Sequence, residues 1–236
     1  TVLYEGNGGS QYISNVGFKP DLVWMKCRNV SKDHRLYDSI RGATHFLEPN
    51  NTGSEGTAST SLTSFNANGF TLGAASTSNS NNANFVAWCW KAGGDAVNNT
   101  NGNITSQVSA NQDAGFSIVK WTSTGSGGST KTVGHGLDST PEMIILKNAS
   151  SSTASWRVFH NNIPSPNNSL ALNGGEAAFS FWPSVSSTNF GLAASVTTGE
   201  SSGASGQDII AYCFHSVSGY QKLGNYSGGT SGYEVT

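Results

Sequence analysis

The groups of this chain that could do chemistry are five histidines, three cysteines, a few acids placed after prolines, and six tryptophans. Zinc would need histidines and cysteines at ligand spacing. His34, His45, His135, His160 and His215 are scattered, and neither HExxH nor CxxC occurs, so a zinc site has no support. His135, between Gly134 and Gly136, is a tight-turn residue by its neighbours. Cys27, Cys89 and Cys213 are an odd number and make no tidy disulfide framework. Cys89 and Cys213 each sit among large apolar residues, which fits small core side chains better than a metal or redox pair. No G-x-S-x-G elbow marks a nucleophile. Asp21 and Glu142 each follow a proline and suit turns that lead into strands, rather than the paired acids of a glycosidase. No EF-hand loop is present, so no cofactor is expected; calcium bound through carbonyls of the Asn/Asp-rich loops is the only ion with a route in. The glycines at 125, 127 and 128 do not open a helix with Gly-Lys-Ser/Thr, so no phosphate cradle is indicated. These features argue against an enzyme.

The aromatic residues offer a different chemistry, stacking on sugar rings. The competing reading is that tryptophans inside strands pack a core or an interface. Trp88 and Trp90 flank Cys89, so they share one face of a strand while Cys89 points to the other. Trp182, followed by Pro183 near a turn, is the tryptophan expected at the surface. Trp182, Trp121 and Tyr226 are the candidates for glycan contact.

The elements that would position these residues come in two copies. Pro20-Asp21-Leu22-Val23-Trp24-Met25-Lys26 returns as Pro141-Glu142-Met143-Ile144-Ile145-Leu146-Lys147, a displacement of 141 − 20 = 121. Arg35-Leu36-Tyr37-Asp38 is answered by Arg157-Val158-Phe159-His160, Phe70-Thr71-Leu72 by Phe190-Gly191-Leu192, and Phe85-Val86-Ala87-Trp88-Cys89-Trp90 by Ile209-Ile210-Ala211-Tyr212-Cys213-Phe214. Four echoes in one order indicate a duplicated unit of domain size. An aromatic-then-glycine pattern occurs three times, at Tyr4, Trp121 and Tyr226, so a third copy is expected to start near the end. The chain then looks like a segment of a longer array, whose last strand completes a neighbouring copy. Thr1 shows no secretory signal and no initiator Met precedes it, which suggests a processed product or excised fragment.

Helical periodicity is nearly absent. Short apolar runs rich in β-branched and aromatic residues alternate with Gly/Ser/Asn/Asp clusters, the pattern of strands and turns. Strands are expected at 22–25, 35–37, 70–72, 85–90, 117–121, 143–146, 156–159, 190–192 and 209–214, with one short helical turn over 38–43. The runs at 22–25 and 143–146 are apolar at successive positions, so both of their faces should be covered. The predicted fold is all-β: two tandem antiparallel β-sandwich units of jelly-roll or lectin-like type, with little helix. The units are placed at 1–98 and 115–218, with a connecting segment at 99–114 and the third-repeat start or exchanged strand at 219–236. Residues 50–60 read as an exposed polar excursion. Charged residues are only 11% and the formal net charge is −2, so nucleic acid has no basic patch to bind. Apolar runs are far short of the roughly 20 residues that span a bilayer, so no membrane insertion is expected.

Several of these segments resemble a known family. Phe18-Lys19-Pro20-Asp21-Leu22-Val23-Trp24-Met25-Lys26, Leu36-Tyr37-Asp38-Ser39-Ile40-Arg41-Gly42-Ala43-Thr44 and Asn68-Gly69-Phe70-Thr71-Leu72-Gly73 are similar to repeats in large structural proteins of tailed, including marine, bacteriophages. So are Gly115-Phe116-Ser117-Ile118-Val119 and Val133-Gly134-His135-Gly136-Leu137 in the second half. The resemblance implies concanavalin- or laminin-G-like sandwiches and a place on the virion, in a tail fibre or surface fibre, and it supplies no binding residues. The function expected is a non-catalytic structural module, with host-surface glycan recognition through aromatic-lined loops as the alternative. The partners expected are copies of the chain in a homo-oligomer, other virion proteins and, under the alternative, host polysaccharide.

Overall fold

The computed structural model describes residues 1–125, 130–163, 168–175, 179–193 and 205–226. Most of the glycine cluster at 125–128, and residues 227–236 of the expected third copy, lie outside them. The first half contributes β1 (Val2–Glu5), β2 (Gln11–Ile13), β3 (Leu22–Cys27), β4 (Arg35–Asp38), β5 (His45–Phe46), β6 (Gly56–Thr57), β7 (Leu62–Asn66), β8 (Gly69–Leu72) and β9 (Asn84–Trp90). The second contributes β10 (Val97–Asn99), β11 (Ser106–Asn111), β12 (Phe116–Thr124), β13 (Lys131–Gly134), β14 (Met143–Asn148), β15 (Arg157–His160), β16 (Asn168–Ala171), β17 (Phe179–Ser180), β18 (Asn189–Leu192) and β19 (Ser205–Phe214). Each expected strand lies within one residue of an observed one. The sole α-helix among the described residues is the four-residue Ser76–Asn79. The expected helical turn at 38–43 is a single turn, closed by Gly42 N–H donating to Asp38 O at 3.0 Å.

The duplication is structural as well as textual. The first unit has a sheet ordered β1-β9-β3-β4, and the second repeats that order as β12-β19-β14-β15. Ladder registers coincide too. Val23 sits between Cys89 and Tyr37, and Ile144 between Cys213 and Phe159, with displacements of 144 − 23 = 121, 213 − 89 = 124 and 159 − 37 = 122. A smaller sheet covers one face in each unit, β2-β8-β7 in the first and β13-β18 in the second. The Pro-acid turns also match. Asp21 N–H donates to Trp90 O at 2.9 Å and Glu142 N–H to Phe214 O at 2.8 Å, so both acids do lead into strands.

The connecting segment needs correction. It carries β11 and the last residue of β10, whose first two residues fall in the span given to the first unit. Both strands extend the second unit's large sheet beyond β12, while β16 and β17 extend its other edge. Its Ser-Gln-Val-Ser-Ala-Asn sequence has no apolar run, because only alternate residues such as Val108 and Ala110 meet the core. Pairing with β12 creates that strand; local propensity does not.

The two large sheets lie face to face, which explains the continuous apolar runs. In β3, Val23 and Met25 point into the first unit's own core, while Leu22 and Trp24 point the other way. In β14, Ile144 and Leu146 enter the second unit's core, while Met143 and Ile145 point out. The outward residues of both sheets form one cluster with Leu36, Phe116, Ile118, Trp156, Ile210, Tyr212 and Phe214. Four layers result: small sheet, large sheet, large sheet, small sheet. The central strands β3 and β14 are covered on both faces, while edge strands such as β1 and β10 keep exposed residues.

Candidate functional site

The residues proposed for glycan stacking do not converge. Trp182 is 0% exposed and Trp121 2% exposed, both inside the second unit's core. Each makes an edge-to-face contact with Phe190, at 5.9 and 5.8 Å between ring centroids. Neither offers a face to a sugar, which corrects the expectation that Trp182 stands at the surface. The Trp-Pro pair does sit between strands, but the side chain turns inward beneath the large sheet against Phe159 and Phe181. Tyr226 is 74% exposed and remains as the single accessible candidate of the three. Trp88 and Trp90 do share a face: Trp90 packs in the seam between the sheets and Trp88 meets Trp24 edge-on at 6.2 Å, while Cys89 faces the first unit's core.

The groups that do converge lie in the seam. Asp38, wholly buried at the end of β4, receives the backbone N–H of Ile40 at 3.1 Å and of Arg41 at 2.8 Å on one oxygen. Its other oxygen receives Arg41 Nε at 2.5 Å and the Tyr212 hydroxyl of the second unit at 2.8 Å. Arg41 goes on to Glu55 at 3.1 Å and to the Leu36 carbonyl at 3.1 Å. Burial opposes the guanidinium charge, but Asp38, Tyr212 and Glu55 together hold its pKa above the ordinary value. Burial, and then Asp38, push the Tyr212 phenol well above its ordinary value, so it stays a hydroxyl donor. This chemistry fastens: one guanidinium meets two carboxylates, and the phenol keeps its proton as a donor.

Residues 50–60, expected to be an exposed excursion, belong in part to the same fastening. Glu55 N–H donates to Ala149 O at 2.7 Å, and Thr52 Oγ1 to Ser152 O at 3.0 Å. Lys147, fully buried, donates through Nζ to Thr52 O at 3.0 Å, Ser151 O at 2.9 Å and Ala154 O at 2.7 Å. Trp156 Nε1 reaches Glu48 O at 3.0 Å. An apolar cavity of about 260 Å³ remains in the seam, walled by Trp24, Trp90 and Trp156 among others. Sequence reasoning missed the ion pair, though an acid and an arginine three apart, inside a turn between an apolar strand and a glycine, were a usable signal.

Two histidines are set in neutral form. His135 is buried; its Nε2 lies 3.1 Å from Ser186 O and its Nδ1 accepts the Leu137 N–H at 3.1 Å. His34 accepts the Trp24 indole N–H on Nδ1 at 2.9 Å. Burial, then His215, lowers the His135 pKa; burial, then Lys26, lowers that of His34. The unfolded chain therefore binds these protons more readily than the folded one. Stability should fall as the pH drops below about 6.5. Urea midpoints at several pH values check this, and a profile that stays flat from neutrality to well below about pH 6.5 would contradict it.

The cysteines are free among the described residues, with Cys27 and Cys213 buried and Cys89 half-buried. Burial pushes the Cys213 thiol up to about 12 and the Cys89 thiol up to about 11. A disulfide reagent at mildly alkaline pH should leave Cys213 unmodified in the native protein and label all three thiols in denaturant. Rapid native labelling of Cys213 would contradict the packing. Among the described residues, no group of three His, Cys, Asp or Glu side chains is placed to hold a metal ion, and no helix is long and apolar enough to cross a membrane.

Residues 1–234 match one protein-family model, described as Domain of unknown function (DUF7483). No curated protein and no solved structure matches the chain.

Proposed function

We propose, for a chain that belongs to the DUF7483 family of domains of unknown function, a mechanical role: a non-catalytic structural module of a bacteriophage virion, in a tail fibre or surface fibre. The observation that carries this reading is the seam, where a buried Asp38–Arg41–Glu55 network and Lys147 join two homologous sandwiches across their large sheets. Such a joint suppresses relative motion of the units, as a spacer or assembly block requires. A surface carried by hydroxyls and amides, with 11% charged residues, gives assembly little dependence on salt. The partners under this reading are further copies of the chain and other virion proteins, and the place is the particle surface. An antiserum against the chain should decorate purified particles of the virus that encodes it, at one defined position under the electron microscope. Particles that carry none of the chain would overturn the reading.

A second reading, attachment to host-surface glycan, draws on Tyr220 and Tyr226, which are 63% and 74% exposed in the last described segment. Labelled chain incubated with intact host cells and a panel of their polysaccharides would show saturable binding, competed by one glycan. No binding by folded protein would remove this alternative.

A further inference from the structure

We infer that the clefts beside Asp21, where the first unit hands over to the second, form a binding site for a neutral polyhydroxylated ligand, a saccharide. The site arises from two side-chain differences between the copies, Asp21 in place of Glu142 and Ala92 in place of Ser216. In the second unit Glu142 is fully occupied by Ser216, whose N–H reaches one carboxylate oxygen at 3.2 Å and whose hydroxyl reaches the other at 2.7 Å. The equivalent residues of the first unit are Asp21 and Ala92 (142 − 121 = 21; 216 − 124 = 92). Ala92 N–H donates to Asp21 Oδ2 at 2.8 Å, but alanine has no hydroxyl for Oδ1. Oδ1 consequently has no hydrogen-bond partner among the described residues, although Asp21 is only 3% exposed. Ser39, whose N–H donates to Asp21 O at 2.8 Å, likewise keeps its hydroxyl unpartnered. Two buried polar atoms left open, on residues joined by a backbone hydrogen bond, are uncommon and ask for a ligand or for water.

Asp21 is part of the wall shared by two adjoining clefts of about 490 and 500 Å³, a size that suits small ligands. The second unit already shows what the open oxygen accepts, a hydroxyl. Charge argues in the same direction. Lys19, Lys91 and Lys120 stand around the two clefts with Asp21, Asp95 and Asp113, and Lys120 also pairs with Asp208 at 3.0 Å. A phosphate therefore has no excess of positive charge to meet, and among the described residues no three acidic, His or Cys side chains are grouped to hold a metal ion. A sugar carries adjacent hydroxyls that donate to Asp21 Oδ1 and accept from an ammonium group, and its C–H face suits Ile40 and Phe65 in the second cleft. The inference goes beyond the mechanical role and does not use Tyr220 or Tyr226, so it can fail while either reading above stands.

The test is an amide NMR titration of the full chain with the methyl glycosides of glucose, galactose, mannose and N-acetylglucosamine, and with calcium chloride and sodium phosphate as controls. At least one glycoside should give saturable shifts at Ser39 and at 92–94. Ala92→Ser, which supplies the hydroxyl that Ser216 supplies in the other copy, should raise the melting temperature and weaken that binding about tenfold, the equivalent of one hydrogen bond. Ser39→Ala leaves the bond between Asp21 and Ala92 in place and should also weaken binding, which keeps the test decisive if Ala92→Ser fails to fold. The inference is overturned if no glycoside gives a saturable shift, which would leave Oδ1 to water. It is equally overturned if Ala92→Ser binds as tightly as the native chain, if binding is unchanged in Ser39→Ala, or if only calcium or phosphate shifts these amides.

Discussion

Asp38→Ala should cost about 3–5 kcal/mol of stability, because it leaves the buried Arg41 guanidinium with only the part-exposed Glu55 as counter-charge. The carboxylate receives four donors, two of them backbone N–H groups of the following turn. Its removal therefore loosens the turn, uncovers a charge and deprives the Tyr212 hydroxyl of its acceptor in one step. Tyr212→Phe is the milder probe. It deletes only the donor from the second unit and should cost about 1–3 kcal/mol. Replacing Asp38 and Arg41 together by leucine and methionine should cost less than Asp38→Ala alone, since the only charge left without its partner is the part-exposed Glu55 carboxylate. Urea denaturation of the three variants gives this ranking. A single-variant loss below about 1 kcal/mol for Asp38→Ala would mean that water reaches the site and that the network fastens nothing.

Trp156→Ala should have an effect of similar size, about 3–5 kcal/mol. The indole is 0% exposed, packs with residues of both units and donates to Glu48 O of the first. Its loss would enlarge the apolar cavity already present in the seam, which that ring helps to wall. The destabilisation should be read equally by probes in either unit, although the substituted residue belongs to the second. A near-neutral Trp156→Ala would place the ring outside the packing that matters.

Much of this architecture was legible in the sequence. The echo of the Pro-acid strand at a displacement of 121 survives as matching registers around Val23 and Ile144, because a β-ladder cannot slip by one residue without turning its core face to water. The unbroken apolar runs of β3 and β14 announced strands covered on both faces, and the opposed sheets supply those covers. Trp182 and Trp121 were illegible for a physical reason: whether a large ring is inside depends on segments remote in sequence, here those carrying Phe159 and Phe190. Strands β10 and β11 were hidden because polar strands of Asn, Ser and Gln, at and next to the edge of a sheet, take their form from their neighbours. The hydrogen bond that fastens the seam joins Asp38 to Tyr212 across 212 − 38 = 174 residues, a distance over which no local pattern speaks. The open oxygen of Asp21 could be found only by laying the two copies over each other and seeing Ala92 where the second unit has Ser216.

The seam should make the two sandwiches into one stiff body. Scanning calorimetry of the full chain, with the native protein and Trp156→Ala side by side, tests it most directly. One transition is predicted in both, with calorimetric and van't Hoff enthalpies equal, and it moves as a whole to lower temperature in the variant. Two transitions, of which Trp156→Ala shifts just one, would mean that the units are independent and that the seam is only contact.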